Sequence, residues 1–373
     1  MQHHTETLII GGGVIGCAIA YYLRKQGMAV TLLEQGEIGD QASSAAAGLL
    51  APLGPLPGPG PFADLLLAGF ALFPSLVPEL EEASGLRLGY DQAGALRLVH
   101  NPRRVANLRK RMQAWQPLGL AMHWLTGEEA RQLEPLLSPS VCAAIYAPQE
   151  AQIKAPRVVR AFALAASNLG AHLHSHTPVS ELLHQKARVT GVVTTTGETI
   201  YCERLVLATG AWSARYSACF DVALPVSPLK GQLLALRQPA PPLRHIIFGD
   251  SLYLAPRDDS IIVGATREEA GFDTSVTDEG FSWLRDTASR LVPSLEQCHS
   301  VASWAGLRPK TPDSRPILGP LPGWENVILA TGHNSVGIIL SAITGQAIAD
   351  LLATGQCSPL IHPFSVARFQ SPS

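Results

Sequence analysis

Three glycines, Gly11, Gly13 and Gly16, stand near the start of the chain at the spacing G-x-G-x-x-G, and Glu34 follows further on. Glycines so spaced can turn the chain tightly, let a backbone approach a pyrophosphate and let a helix pack close to a strand. The helix N-terminus beyond them, opened by Val14 and Ile15, offers free N–H groups and a positive dipole end to phosphates. An acid at Glu34 suits a free ribose 2′-hydroxyl and disfavours a 2′-phosphate. Far along the chain, WAGLRPKTPDSRPILG (304–319) sets one arginine among apolar residues and glycines. A strand there places Trp304, Gly306 and Arg308 on one face. The Arg308 guanidinium is then a fork suited to a carboxylate, held at two points. A salt bridge to Asp313 or Asp273 is the other use open to it.

The surrounding pattern must hold these groups in place. Apolar runs at 7–10 and 29–34 flank a helical pattern at 14–26, which makes a βαβ unit. APLGPLPGPGP (51–61) reads as an irregular loop. Helical patterns follow at 62–84 and 102–116, and a strand pattern at 91–99 begins a different region. A helix is expected over 155–169, with Pro156 in its first turn. Short strand patterns come next at 171–174, 179–183, 189–195 and 198–202, then a buried strand at 204–210. Residues 222–236 and 251–266 are rich in strand pattern, with two strands joined at 257–260. The end reads as strand, glycine turn and long helix.

A chain of 373 residues suggests two domains. With 46% hydrophobic and 16% charged residues and a net charge of −2, it reads as a soluble globular protein, with no basic surplus for nucleic acid or anionic membrane. The six cysteines are dispersed without a C-x-x-C pair, which fits reduced thiols in the cytoplasm and gives no disulfide framework or metal signature. MQHHTETLII carries no signal-peptide pattern. GIILSAITGQAIADLLA is broken by Gly345, Gln346 and Asp350 and reads as a buried or amphipathic helix, not as a membrane span.

QASSAAAGLLAP (41–52) resembles the segment that passes along the flavin in the D-amino-acid oxidase family of FAD-dependent oxidoreductases, its glycine oxidase branch in particular. LATGAWS (207–213), LATGH…GI (329–338), the stretch around Arg308 and VGATREEAGFDTS (263–275) are similar to further motifs of that family, in the same order. The resemblance covers nearly the whole chain. It implies an α/β fold: an FAD-binding Rossmann-like domain of the glutathione-reductase type, interleaved with an α+β antiparallel-sheet substrate domain. The cofactor domain is expected over 1–85, 150–220 and 300–373, and the substrate domain over 86–149 and 221–299. Besides the glycine fingerprint and Glu34 with Gln35, the implied FAD contacts are Ser43, Ser44, Ala46, Ala47, Gly48 and Leu49. Val179, Thr209, Gly210, Trp212 and Arg308 join them, as do His333, Asn334, Ser335, Val336, Gly337 and Ile338. Small residues at Ser43–Gly48 would let a backbone lie against a flat ring system, although a well-packed turn uses the same residues. Related sarcosine oxidases tether flavin through a cysteine just before the element matching Thr311-Pro312-Asp313, and other relatives through a histidine in the segment matching 41–48. Neither is present. The FAD is therefore expected to be non-covalent.

The resemblance implies oxidation of a carbon next to an amine, in which FAD carries the hard step and the protein binds, orients and excludes water. Arg308 matches the carboxylate-binding arginine and Tyr253 a tyrosine that helps it, unless Tyr253 is only a half-buried strand residue. Leu49 falls beside the substrate pocket, and His333 reads as a structural residue beside the flavin. Three positions depart from glycine oxidases: Ser335 replaces an arginine, Ser251 a histidine and Arg267 an apolar residue. Hairpin register pairs 256 with 261 and sets Tyr253 and Arg267 on opposite faces, so Arg267 lines the pocket only if the strand bulges or ends there. Otherwise it is a surface arginine above Glu268 and Glu269. In the pocket, it would favour substrates with a second anionic group. The expected function is oxidation of glycine or a similar small amino acid by dioxygen to the 2-oxo acid, ammonia and hydrogen peroxide, feeding the thiazole of thiamine. An oxidase or dehydrogenase of D-amino acids or N-methylglycine is the near alternative, and an electron-relaying flavin subunit the distant one. Homo-oligomer formation is left open.

Overall fold

The structure, a computed structural model, describes residues 3–249 and 251–370. The strand His3–Ile10 lies between Val30–Leu33 and Thr199–Leu207 and is parallel to both, with Ile10 opposite Leu33 and Leu207. Val327–Thr331 extends the parallel order beyond Thr199–Leu207, and His172–His174 does so beyond Val30–Leu33. Apolar side chains on both faces explain the continuous runs in the sequence. Ile9 packs with the helices Val14–Lys25, Ala155–Asn168 and Gly337–Thr354, while Leu8 and Ile10 pack with Val189 and Val192 of the antiparallel hairpin on the other face. The two strands expected at 198–202 and 204–210 are one, Thr199–Leu207. Its polar interruption, Glu203-Arg204, leaves the ladder intact because Arg204 pairs with Glu6 at 3.0 Å.

A second sheet runs in the order Ser300–Lys310, Ser227–Arg237, Ser260–Gly264, Tyr253–Pro256, Ile246–Phe248, Ala95–Val99, Ala143–Ala147 and His123–Thr126. All its pairs are antiparallel except Ile246–Phe248 with Ala95–Val99. Period two sorts its faces. Leu234, Leu236, Leu254 and Val263 pack on Leu284, Ala288 and Leu291 of the helix Asp278–Leu291, whereas Leu233, Tyr253 and Trp304 pack together on the opposite face.

Three boundaries differ from expectation. Residues 300–310, assigned above to the cofactor domain, are hydrogen-bonded along Ser227–Arg237 and belong to the second sheet. We propose a division that keeps them there. The strand read at 91–99 is regular only over Ala95–Val99, because Gly94 takes a φ of 71° and Asp91 makes an isolated bridge to Gln152. The helix read at 102–116 opens as a tight turn, Pro102–Arg104, before Val105–Trp115. Two helices, Pro61–Ser84 and Gly337–Thr354, are long and apolar enough to cross a membrane by length and composition. Both pack against the core: Phe73 and Leu80 of the first, and Leu340 and Ile348 of the second, are fully buried.

Candidate active site

A cavity of about 1260 Å³ opens between the first sheet and the face of the second that carries Leu233 and Tyr253. It exceeds the roughly 300–1,000 Å³ of a typical small-ligand pocket, which leaves room for a large cofactor and a small substrate together. Gly11, Gly13, Val14 and Ile15 line one end. Gly11 has φ 111°, and a Cβ on it would overlap the Ala208 carbonyl; one on Gly16 would overlap the Gly11 carbonyl. The turn and the close helix therefore both require glycine. Glu34 is buried beside them, and its carboxylate accepts from the Gly12 amide at 2.6 Å and the Gly36 amide at 2.9 Å. Each oxygen keeps a second lone pair, so the group is oriented and still able to accept from a ribose. Gln35, Val179, Thr209, Gly210 and Trp212 continue this wall.

Ser43, Ala46, Ala47, Gly48 and Leu49 run along the cavity, opposite His333, Asn334, Ser335, Val336, Gly337 and Ile338. Ser43 Oγ accepts from the Val14 amide at 2.9 Å, which ties this segment to the glycine turn. Ser44 does not line the cavity. Its side chain donates to the Gly39 carbonyl at 2.7 Å, while Ala42, Ser43 and Ala45 of the same short helix, Ala42–Ala45, line the cavity. His333 is buried, with Nε2 3.2 Å from Thr344 Oγ1, and burial pushes its pKa down to about 3. A neutral, enclosed imidazole of that kind is a packing group, not a proton acceptor near neutral pH.

The second sheet supplies the opposite end. Trp304 pairs with Leu233, Gly306 with Gly231 and Arg308 with Leu229, so one face carries Trp304, Gly306 and Arg308 together. Arg308 Nη1 donates to the Thr266 carbonyl at 3.1 Å, and a Cβ on Gly231 would collide with its guanidinium. The two acids that could have neutralised it are used elsewhere: Asp313 pairs with Arg368 at 2.8 Å, and Asp273 with Lys230 at 2.6 Å. Burial lowers the Arg308 pKa and Arg267 lowers it further, against the opposite effect of Tyr253. Tyr253 faces the same space, over Gly264, and its hydroxyl makes no hydrogen bond among the described residues. Burial pushes that phenol up to about 12, although Arg308 and Arg257 act against the rise. Leu49 packs with Leu233, Ala265 and Tyr253, and Ser251 and Ser335 are exposed at the lining.

Arg267 reaches this face through an irregularity. Pro256 does pair with Ile261, and Tyr253 with Gly264. Leu233 also pairs with Gly264, yet Lys230 bridges Glu268, so three steps on one strand face four on the other. The extra residue is a bulge, and it turns Arg267 onto the face of Tyr253 and Arg308. Arg267 is exposed and lines the cavity.

Two further arginines were missed in the sequence. Arg257 donates to the Gln152 side chain and to the Ala47 carbonyl, clamping the small-residue segment from behind. In APRDDS it reads as an ordinary turn residue. Arg97 lines the cavity and pairs at two points with buried Glu150, at 2.6 and 2.8 Å, while Glu150 also accepts from the Leu53 amide. An arginine inside the apolar run ALRLV was the available signal.

Residues 6–351 match the family described as DAO, FAD dependent oxidoreductase. Glycine oxidase of Geobacillus kaustophilus is 36% identical over 371 residues, 99% of this chain and 98% of that protein. Its crystal structure superposes with a TM-score of 0.95 at 35% identity, covering 99% of this chain and 100% of that one. The bifunctional protein ThiO/ThiG of Trichormus variabilis is 37% identical over 370 residues, which are 98% of this chain and 55% of that protein.

Proposed function

Since the chain belongs to the DAO family of FAD-dependent oxidoreductases, we propose that its cavity holds FAD non-covalently and oxidises glycine or a similarly small amino acid at Cα. The lining fits the cofactor: the glycine turn excludes side chains where a pyrophosphate would pass, Glu34 is oriented for a ribose, and small residues from Ser43 to Gly48 leave a flat wall. Bound FAD supplies a two-electron acceptor, which dioxygen regenerates with formation of hydrogen peroxide. The chain's own residues do the positioning. Arg308 receives the substrate carboxylate on its free N–H groups, since only one is spent on Thr266. The neutral Tyr253 hydroxyl donates to the same carboxylate. Leu49, Leu233 and Ala265 exclude water beside the reacting carbon. No proton acceptor need be supplied if the amine arrives deprotonated. Water then hydrolyses the imine to the 2-oxo acid and ammonia.

The observation that carries this reading is Arg308, a partly buried cation facing the cavity with a backbone carbonyl as its one described hydrogen-bond partner. The ThiO/ThiG relative supports the expected route in which oxidised glycine feeds the thiazole of thiamine. We take the protein to act in the cytoplasm, consistent with six free cysteines. Anaerobic titration of the holoenzyme with glycine, N-methylglycine and D-alanine tests the function. Bleaching of the flavin by at least one of them, followed by oxygen uptake on aeration, is expected. Absence of bleaching with all three would refute it.

A further inference from the structure

The bulge after Gly264 brings a second cation to the site, and the proposed function leaves it without a role. We propose that Arg267 reads a second anionic group on the substrate, so that this site takes aspartate-type amino acids of two acidic groups as well as small neutral ones. The inference rests on the reading of Arg308 as the holder of the Cα carboxylate.

Arg267 and Arg308 line the same cavity and project from the same face. The acids beside Arg267 in sequence are already engaged. Glu268 accepts from Gln232 at 2.9 Å and from Thr266, and Glu269 pairs with Lys310 at 2.5 Å. Arg267 itself has no hydrogen bond or ion pair among the described residues. Its backbone is nevertheless fixed. The Gln232 amide donates to Thr266 Oγ1 at 2.8 Å, and Lys230 and Glu268 exchange both backbone hydrogen bonds at 3.0 Å. The Thr266 carbonyl is also the acceptor that orients Arg308. Two guanidinium groups are thus built on one small frame, and Arg267 adds to the burial that lowers the Arg308 pKa. The acids among the described lining residues, Glu34 and Glu181, come from the first sheet. A ligand with two negative groups is the natural complement of that end. Ser251 and Ser335, both short, leave space around it.

For D-aspartate the step removes two electrons and two protons, from the Cα–H and N–H bonds, to give the imine. Water hydrolyses it to oxaloacetate and ammonia while dioxygen is reduced to hydrogen peroxide.

The test compares D-aspartate with D-asparagine, its neutral isostere, on the holoenzyme, Arg267→Gln and Arg267→Lys, with glycine and D-alanine alongside. The ratio of kcat/KM for the acid over the amide should fall about 5- to 30-fold in Arg267→Gln, mainly through KM, and be partly restored in Arg267→Lys. Because Arg267 is exposed, the wild-type ratio should also shrink between about 0.02 and about 0.5 M salt. The ratio is internal to each variant, so incomplete folding does not alter it. Glycine or D-alanine turnover with equal ratios in wild type and Arg267→Gln would overturn this inference alone. If no amino acid is oxidised, the proposed function falls, and calorimetric titration with succinate against its monoamide decides. Tighter binding of succinate that is lost in Arg267→Gln supports the second anion site; equal binding overturns it.

Discussion

At the residue scale, the site is defined by polar groups that the protein leaves incompletely satisfied. Losing one partner of a partly buried, hydrogen-bonded charge pair costs about 2–5 kcal/mol. Arg308→Met should therefore lower kcat/KM for glycine roughly 30- to several-thousand-fold, and Arg308→Lys should recover only part, since an ammonium cannot copy a two-point grip. A hydrogen bond to a charged group is worth about 1.5–3 kcal/mol, so Tyr253→Phe should cost about 10- to 150-fold in steady-state kcat/KM. With the phenol pushed up to about 12, removing it should leave the pH profile below about pH 10 in place. His333 makes a prediction of a different kind. Its folded pKa of about 3 lies below the unfolded value of 6.5, so between them the unfolded chain binds the extra proton. Stability is then lost as pH falls through that window, by up to about 1.4 kcal/mol per unit. In urea titrations, His333→Gln should show a shallower acid-side loss than wild type. An identical slope would mean that this imidazole is not held neutral.

At the scale of elements, what decides the site is how segments distant in sequence are pinned together. Arg257 leaves a hairpin turn to hold the Ala47 carbonyl, and Trp304 Nε1 donates to the Ala45 carbonyl at 3.0 Å, so the small-residue segment is clamped onto the second sheet. Arg257→Met should free the segment and weaken FAD binding about tenfold or more in titrations of apoprotein, one lost charge-assisted bond being worth that much. Unchanged FAD affinity would remove Arg257 from the cofactor's support. The βαβ start, the hairpin joined at 257–260 and the terminal strand and helix were legible in the sequence, because continuous apolar runs and turn residues mark them locally. The bulge was not. It depends on Gln232 and Lys230 capturing Thr266 and Glu268 from another strand, so strict alternation put Arg267 on the wrong face. Which of the adjacent serines Ser43 and Ser44 the short helix turns toward the cavity was not legible either, because a run of small residues carries no periodic signal.

At the scale of the molecule, a mixed sheet with a parallel centre and a glycine turn, and a mainly antiparallel sheet with a cationic face, border the cavity. The membership of 300–310 in the second sheet could not be read locally, since its partner strand lies at 227–237. Both sheets meet the cofactor's space, yet neither brings a cysteine or histidine to the positions used by related flavin tethers. Acid precipitation should release all the flavin into solution, and yellow colour retained on the precipitate would contradict non-covalent binding. The most direct test of the central claim is the rate of anaerobic flavin bleaching by glycine and by methylamine, which lacks a carboxylate, in wild type and Arg308→Met. The reading of Arg308 as the carboxylate's holder requires a large loss with glycine in the variant, little change with methylamine and a normal complement of FAD. A variant that bleaches with glycine at the wild-type rate, or that loses FAD or unfolds while its remaining activity is normal, would show that Arg308 serves the fold and not the substrate.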